Sequence, residues 1–288
     1  MVMRVVVVGG GTMGIGIGHR FAAHGGFVEL VDVDLATAEA AVQKIGVTLD
    51  TAETRGKVPS AADAKARITA IGSIGEATHQ PDAVIEAVIE NVDLKRTILQ
   101  DAEQLEPTVL GSNTSSLSID SLAVGLKHPS RFVGLHFFNP VWAIPLIEVI
   151  KGEATSSVTL ASVTEIVEFL DMEQAVINDA PGFATSRLGV LVGLEAIRMV
   201  EQGVASAADI DRAMSLGYRH PMGPLMLGDL VGLDVRLGIA KHLATVYGER
   251  FEPPELLKTM VAEGRLGKKS GLGFYDWSSG SAIPIEES

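Results

Sequence analysis

Near its start the chain reads Val5-Val6-Val7-Val8-Gly9-Gly10-Gly11-Thr12-Met13-Gly14, and these residues indicate the fold of its first part. Four consecutive valines are typical of a buried strand, and the glycines after them have the spacing G-x-G-x-x-G before an apparent helix. Glycine is needed here because a side chain would obstruct the tight turn, a ligand's pyrophosphate, or the packing of helix on sheet. The stretch predicts a dinucleotide site that includes Gly9, Gly11, Thr12, Met13 and Gly14.

An acidic residue ends the next β-branched run. Asp32 stands where a carboxylate can accept hydrogen bonds from the adenosine ribose hydroxyls and would repel a 2′-phosphate, which favours NAD over NADP. Asp34 could serve almost as well. FAD shares the glycine pattern and is the main alternative cofactor.

Through the first two-thirds of the chain, short β-branched runs alternate with amphipathic helical patterns such as Gly14 to Ala23, Leu35 to Glu53 and Leu94 to Gln104. This alternation predicts an α/β fold with a doubly wound, mostly parallel, Rossmann-like sheet. The predicted strands are Arg4 to Val8, Val28 to Asp32, Ile68 to Ile71, Ala83 to Ala87, Thr108 to Ser112, Phe132 to His136, Leu146 to Val149 and Ala175 to Asn178.

The last third of the chain has a different pattern. Its segments Arg187 to Gln202, Ala207 to Ser215, Leu225 to Tyr247 and Pro254 to Glu263 have helical periodicity. We therefore expect a dinucleotide-binding domain over residues 1–179 and a smaller, all-helical domain over 180–288, which would carry the substrate cleft and a dimer contact. The boundary falls at the turn Asp179-Ala180-Pro181-Gly182.

Composition excludes several classes of function. The chain has 288 residues, a formal net charge of −13 and no cysteine. The negative charge argues against nucleic-acid binding, and the missing cysteines exclude disulfides and Cys-ligated metals. No ligand cluster suggests a metal site, and no apolar run is long enough for a membrane span. We expect a cytoplasmic protein.

Residues capable of chemistry lie at or just past the ends of three predicted strands, in the segments Ser112 to Ser116, Gly134 to Pro140 and Leu146 to Val149. The carboxyl ends of parallel strands face the ligand crevice, so these segments can converge. Removal of a hydride from a secondary alcohol needs a group that takes the hydroxyl proton, and histidine suits that task near neutral pH. His136 is the candidate base, and Glu148 could orient its ring.

With these motifs the sequence resembles the 3-hydroxyacyl-CoA dehydrogenase family, in particular its short 3-hydroxybutyryl-CoA type, from about Arg4 to Tyr275. The most specific matches are the glycine turn, Ser112 to Leu117, His136 to Pro140, Pro181 to Phe183, Pro221 to Pro224, Gly232 to Asp234 and Gly267 to Gly271.

The resemblance implies roles for single residues. His136 would be the catalytic base and Glu148 its partner, while Ser115 would contact both substrate and nicotinamide. Asn139, Glu90, Lys95 and Lys269 would contact the cofactor.

One position departs from the family pattern. After Pro181-Gly182-Phe183 the family has two apolar residues and then Asn-Arg, whereas this chain has Ala184-Thr185-Ser186-Arg187. Ser186 thus replaces an asparagine that helps to hold the substrate. Serine keeps a donor and an acceptor but has a shorter reach, which puts substrate preference in doubt more than reaction type.

The resemblance implies an acyl-CoA substrate and a homodimer. The basic residues Arg55 and Lys57, after the helical pattern Leu35 to Glu53, are candidates for contact with the CoA phosphates, and the apolar stretch Leu188 to Leu194 is a candidate subunit contact. Two alternatives remain: a dehydrogenase of related fold acting on carnitine or a sugar acid such as gulonate, and a noncatalytic NAD-binding protein of the crystallin kind.

Overall fold

The computed structural model describes residues 2–285. The chain divides into two compact units between Phe183 and Ala184. The bound inferred from sequence, between residues 179 and 180, stays a prediction close to this division.

The first unit is built on an eight-stranded sheet in the order β3-β2-β1-β4-β5-β6-β7-β8. The strands are β1 (Arg4–Val8), β2 (Phe27–Val31), β3 (Ile68–Ile71), β4 (Ala83–Glu86), β5 (Val109–Ser112), β6 (Phe132–Phe137), β7 (Leu146–Lys151) and β8 (Glu173–Asn178). All neighbours pair in parallel except β6 and β7, which are antiparallel. The mostly parallel sheet is confirmed.

The valines of β1 are buried on both faces of this sheet. Val5 and Val7 belong to the apolar core on one face, and Val6 and Val8 to the core on the other. Both faces are covered by helices: α1 (Thr12–Ala23), α2 (Leu35–Thr54), α3 (Ala61–Lys65), α4 (Val92–Glu103), α5 (Ile119–Leu122) and α6 (Ser157–Phe169). A continuous valine run, rather than an alternating one, follows from burial on both faces.

Side-chain caps fix where the long helices of this unit begin. Asp34 accepts a hydrogen bond from the Thr37 backbone N–H at the start of α2, and Asn91 accepts one from Leu94 at the start of α4. The strand order reverses between β1 and β4, and at such a point the loops after the two strands diverge and leave a crevice. The fold therefore places the glycine turn after β1 beside the loop after β4.

The second unit is helical, with α7 (Thr185–Glu201), α8 (Ala207–Gly217), α9 (Pro224–Val231), α10 (Leu233–Tyr247) and α11 (Glu255–Ala262). The single helical pattern inferred over Leu225 to Tyr247 is wrong, because Gly232 has φ +102° and separates α9 from α10. The unit also contains a small antiparallel pair, β9 (Tyr275–Asp276) with β10 (Ile283–Pro284), which the all-helical expectation missed. Strands of two residues carry too little periodicity to be found from sequence.

Candidate active site

A cavity of about 870 Å³ opens where β1, β2 and β4 end. Its lining includes Gly9, Gly11, Thr12, Met13 and Asp32, so five of the residues predicted to bind the cofactor lie together. The loop after β4 and the exposed side of α4 form the opposite wall. A crevice of this kind at the reversal of strand order is where open α/β sheets bind their ligands.

Each glycine of the turn is required for its own reason. A Cβ on Gly14 would lie 1.7 Å from the carbonyl oxygen of Gly9, so α1 could not begin against the turn. Gly9 has φ +109° and lies against the backbone of Ala87. At Gly11 no protein atom lies within 4 Å of an added Cβ. The space above Gly11 is thus left for a ligand, which fits a pyrophosphate approaching the start of α1.

Asp32 and Asp34 have different tasks. Asp32 accepts hydrogen bonds from the backbone N–H of Gly10 (2.6 Å) and Val33 (2.7 Å), and so ties the end of β2 to the glycine turn at the cavity. Asp34 is used as the cap of α2, where the backbone N–H of Thr37 lowers the pKa of its carboxyl. Between the two candidates, the geometry favours Asp32 for contact with the ribose.

The antiparallel pairing of β6 and β7 creates a buried histidine–carboxylate pair. The register places His136 directly opposite Glu148, and the two side chains meet with 2.8 Å between Nδ1 and Oε2. Glu148 is fully buried, and the imidazole packs against the rings of Phe138 and Phe183. A carboxylate at Nδ1 fixes that nitrogen as the N–H donor, leaving Nε2 free to accept a proton.

Glu90 holds the loop that carries Ser115. Its Oε1 accepts hydrogen bonds from the Thr114 hydroxyl (2.6 Å), from the backbone N–H of Ser115 (3.1 Å) and from the Ser116 hydroxyl (3.0 Å). Partial burial acts to raise the pKa of Glu90, but the hydrogen bonds and the charge of Lys95 outweigh it and lower the pKa overall. Glu90 therefore stays ionised as the acceptor for this loop.

Lys95 is not the solvated side chain that lysine usually is. It is 1% exposed, and its Nζ lies 2.6 Å from Glu86 Oε1, 3.2 Å from the Val88 carbonyl oxygen and 3.3 Å from Glu90 Oε2. Sequence reasoning missed Glu86. The only signal was a charged residue at the end of the apolar run Ala83-Val84-Ile85.

The last residue of β6 is tied to the residue that follows β5. Asn113 accepts a hydrogen bond from the backbone N–H of Phe137 (2.9 Å), and Asn139 follows as an exposed residue joined to Pro140 by a cis peptide bond. The predicted residues Ser115, His136 and Asn139 thus stand on adjoining strand ends of the first unit.

Two predicted residues lie in the second unit. Ser186 is in the first turn of α7 and is partly buried. Lys269 pairs with Asp234, with 2.6 Å between Nζ and the carboxylate. Although desolvation acts to raise the pKa of Asp234, the hydrogen bond and charge of Lys269 lower it overall.

Residues 2–285 contain no group of three or more His, Asp or Glu side chains that could hold a metal ion. Within that range, no helix combines the length and the apolar character that crossing a membrane requires.

Four features occur together in this chain: a mostly parallel sheet, a glycine turn, an acid at the end of β2 and a buried histidine–glutamate pair. They define a nicotinamide-dependent dehydrogenase of the Rossmann type. Residues 4–180 match the NAD-binding domain of 3-hydroxyacyl-CoA dehydrogenase, and residues 182–277 match the C-terminal domain of the same enzyme. The chain belongs to the 3-hydroxyacyl-CoA dehydrogenase family.

Individual relatives agree with this assignment. The chain is 40% identical to a 3-hydroxybutyryl-CoA dehydrogenase of Mycobacterium tuberculosis, over 96% of this chain and 99% of the relative. It is 38% identical to the enzyme of that name from Clostridioides difficile, over 96% of this chain and all of the relative. The crystal structure of (S)-3-hydroxybutyryl-CoA dehydrogenase from Ralstonia eutropha is similar with a TM-score of 0.89 and 37% identity, over 96% and 99% of the two chains.

The family decides between the cofactors and functions that the sequence left open. NAD is the cofactor, and the chain is a dehydrogenase of 3-hydroxyacyl-CoA thioesters. The family excludes FAD as the cofactor. It also argues against the two alternative functions, oxidation of carnitine or a sugar acid and a purely structural role.

Proposed function

We propose that this enzyme interconverts short-chain (S)-3-hydroxyacyl-CoA and 3-ketoacyl-CoA, with 3-hydroxybutyryl-CoA and acetoacetyl-CoA as its preferred pair. The chain length is supported by the relatives, several of which are 3-hydroxybutyryl-CoA dehydrogenases over their full length.

One observation carries the chemistry: the 2.8 Å contact between His136 Nδ1 and Glu148 in a buried part of the sheet. In the oxidative direction Nε2 of His136 takes the proton of the 3-hydroxyl, and Glu148 stabilises the imidazolium that forms. NAD supplies the acceptor for the hydride that leaves C3. The products are a 3-ketone, a reduced cofactor and a proton on His136.

Other residues bind and orient the reactants in this proposal. The glycine turn and Asp32 hold the pyrophosphate and the ribose, while Ser115 contacts both substrate and nicotinamide. Four further residues serve the cofactor, either by contacting NAD or by holding residues that contact it: Glu90, Lys95, Asn139 and Lys269. Ser186 contacts the substrate, directly or through a water molecule.

The test of the base is His136→Gln. We expect kcat to fall about 10²–10⁴-fold, the usual contribution of a general base, while the Kd for NADH changes less than about twofold. Rates would be measured with acetoacetyl-CoA and with longer 3-ketoacyl-CoA thioesters. NADPH in place of NADH, and carnitine or gulonate in the oxidative direction, serve as controls. A variant as active as the wild type would contradict the role of His136, and a faster reaction with long chains would contradict the chain-length proposal.

We also propose a homodimer joined through the second unit. Large apolar side chains are exposed there, among them Leu188 and Val192 on α7 and Leu227 and Leu230 on α9. Contiguous exposed apolar surface commonly marks an interaction site, and we propose that these side chains form such a surface. Sedimentation of the wild type and of Leu188→Asp tests it, because a charged residue in the contact would shift the enzyme toward monomers. The cytoplasm is our proposed location, consistent with the lack of cysteine.

A further inference from the structure

A buried charge cluster lies behind the cofactor side of the site. Glu86 is fully buried at the end of β4, and each of its oxygens has a donor: Oε1 accepts from Lys95 Nζ (2.6 Å) and from the Val88 backbone N–H (2.7 Å), and Oε2 accepts from the Ser112 hydroxyl (2.6 Å). Moving an ionised carboxylate out of water costs several kcal/mol, and this arrangement offsets the cost with charge-assisted hydrogen bonds. These hydrogen bonds fix the position of the Glu86 carboxylate.

Lys95 connects this carboxylate to a second one. Its three polar neighbours are Glu86, the Val88 carbonyl and Glu90, and a lysine ammonium has three N–H donors. With its donors used inside the protein and 1% of its surface exposed, Lys95 is held in place and does not line the cavity. Its charge acts on Glu90.

Glu90 connects Lys95 to the loop that carries Ser115. Oε2 faces Lys95, while Oε1 receives the hydroxyls of Thr114 and Ser116 and the backbone N–H groups of Ser115 and Ser116. Oε1 thus accepts all the hydrogen bonds from the turn of residues 114–116, and Oε2 is fixed by the ammonium group of Lys95. Hydrogen bonds to this one carboxylate therefore hold the loop in its shape.

We propose that Glu86 is a positioning residue for hydride transfer, acting through Lys95 and Glu90 to fix the loop that presents Ser115. The inference rests on the proposed role of Ser115 and extends it to a residue that touches neither substrate nor cofactor. An error of about 1 Å in a positioning group can cost about 100-fold in rate, so a remote charge can matter for kcat.

The test is a double-mutant cycle between Glu86→Gln and Ser115→Ala, read as kcat/KM for acetoacetyl-CoA. Glu86→Gln keeps the shape of the side chain and removes its charge. We expect a loss of about tenfold in the wild-type background and less than about twofold in the Ser115→Ala background, because the effects of residues that act through one hydrogen-bond network are not additive. Equal losses in both backgrounds would overturn the proposal.

Two further variants separate positioning from stability. Glu103→Gln removes another buried carboxylate, which accepts hydrogen bonds from the backbone N–H groups of Lys127 and His128 and does not line the cavity. It should lower Tm and leave kcat/KM unchanged. If Glu86→Gln alone folds poorly, the variant Glu86→Gln/Lys95→Met buries no charge at either position, so Tm should recover while kcat/KM stays about tenfold low. Recovery of both would show a structural role only.

Failure of the proposed function would look different. A Ser115→Ala enzyme with full activity would remove Ser115 from the reaction, and the positioning proposal would fall with it. An active His136→Gln enzyme would contradict the base while leaving the result of the Glu86 cycle as it stands.

Discussion

Replacing Glu148 by Gln tests the catalytic pair with little change in shape. The carboxylate is fully buried and lies 2.8 Å from His136 Nδ1, so the substitution removes the charge that faces the imidazole during proton transfer. A hydrogen bond to a charged group contributes about 1.5–3 kcal/mol. Attraction between unit charges about 4 Å apart, at an effective dielectric constant of about 20, is about 4 kcal/mol.

These magnitudes bound the expected loss of rate. Between about 1.5 and 4 kcal/mol of transition-state stabilisation would be lost, which lowers kcat about 10- to 1,000-fold. The neutral amide can also donate to Nδ1 and so favour the wrong tautomer.

The assay is the decrease of NADH absorbance with acetoacetyl-CoA, together with NADH binding by titration. Because Glu148 lies in β7 and not at the glycine turn, the Kd for NADH should stay within about twofold of the wild-type value. Glu103→Gln again serves as the matched control. Wild-type kcat in Glu148→Gln would refute the assignment of Glu148, and a parallel loss of NADH binding would show that the effect is not specific to proton transfer.

Three other substitutions probe the cofactor turn and the core. Gly11→Ala should leave Tm within about 1 °C of the wild type but weaken NADH binding at least about tenfold, because an added Cβ would meet no protein atom and would enter the space left for the ligand. Unchanged NADH binding would contradict the proposal that the pyrophosphate lies against Gly11. Gly14→Ala should instead lower Tm strongly, since its Cβ would collide with Gly9, and a stable variant would show that the turn can shift. Asp32→Ser should reduce the preference for NADH over NADPH at least about tenfold in Kd, mainly through weaker NADH binding; an unchanged ratio would exclude Asp32 from the ribose site. Burial, with the charges of Arg20 and His24, lowers the pKa of His19 from 6.5 to about 4, so the folded state resists protonation and stability falls as pH drops from about 6.5 toward 4. Urea unfolding at pH 7 and 5 should show a loss about 1–2 kcal/mol smaller in His19→Gln than in the wild type, and equal losses would argue that His19 is not the group responsible.

The order of residue types along the chain was enough to predict the fold class and the glycine turn. The run Val5 to Val8 and the glycines after it have few alternatives, because a four-valine strand needs cover on both faces and backbone contacts leave no room for a side chain at Gly9 or Gly14. It also identified His136 and Glu148 as a pair from their positions near two strand ends.

Features that depend on the pairing of distant segments could be seen in the three-dimensional fold alone. The antiparallel register of β6 and β7 places His136 opposite Glu148. Asp34 caps α2, whereas Asp32 lies at the cavity and accepts a hydrogen bond from the glycine turn. The Glu86–Lys95 pair could not be foreseen, because lysine and glutamate are mostly exposed, and burying both is favourable only when folding brings their charges together.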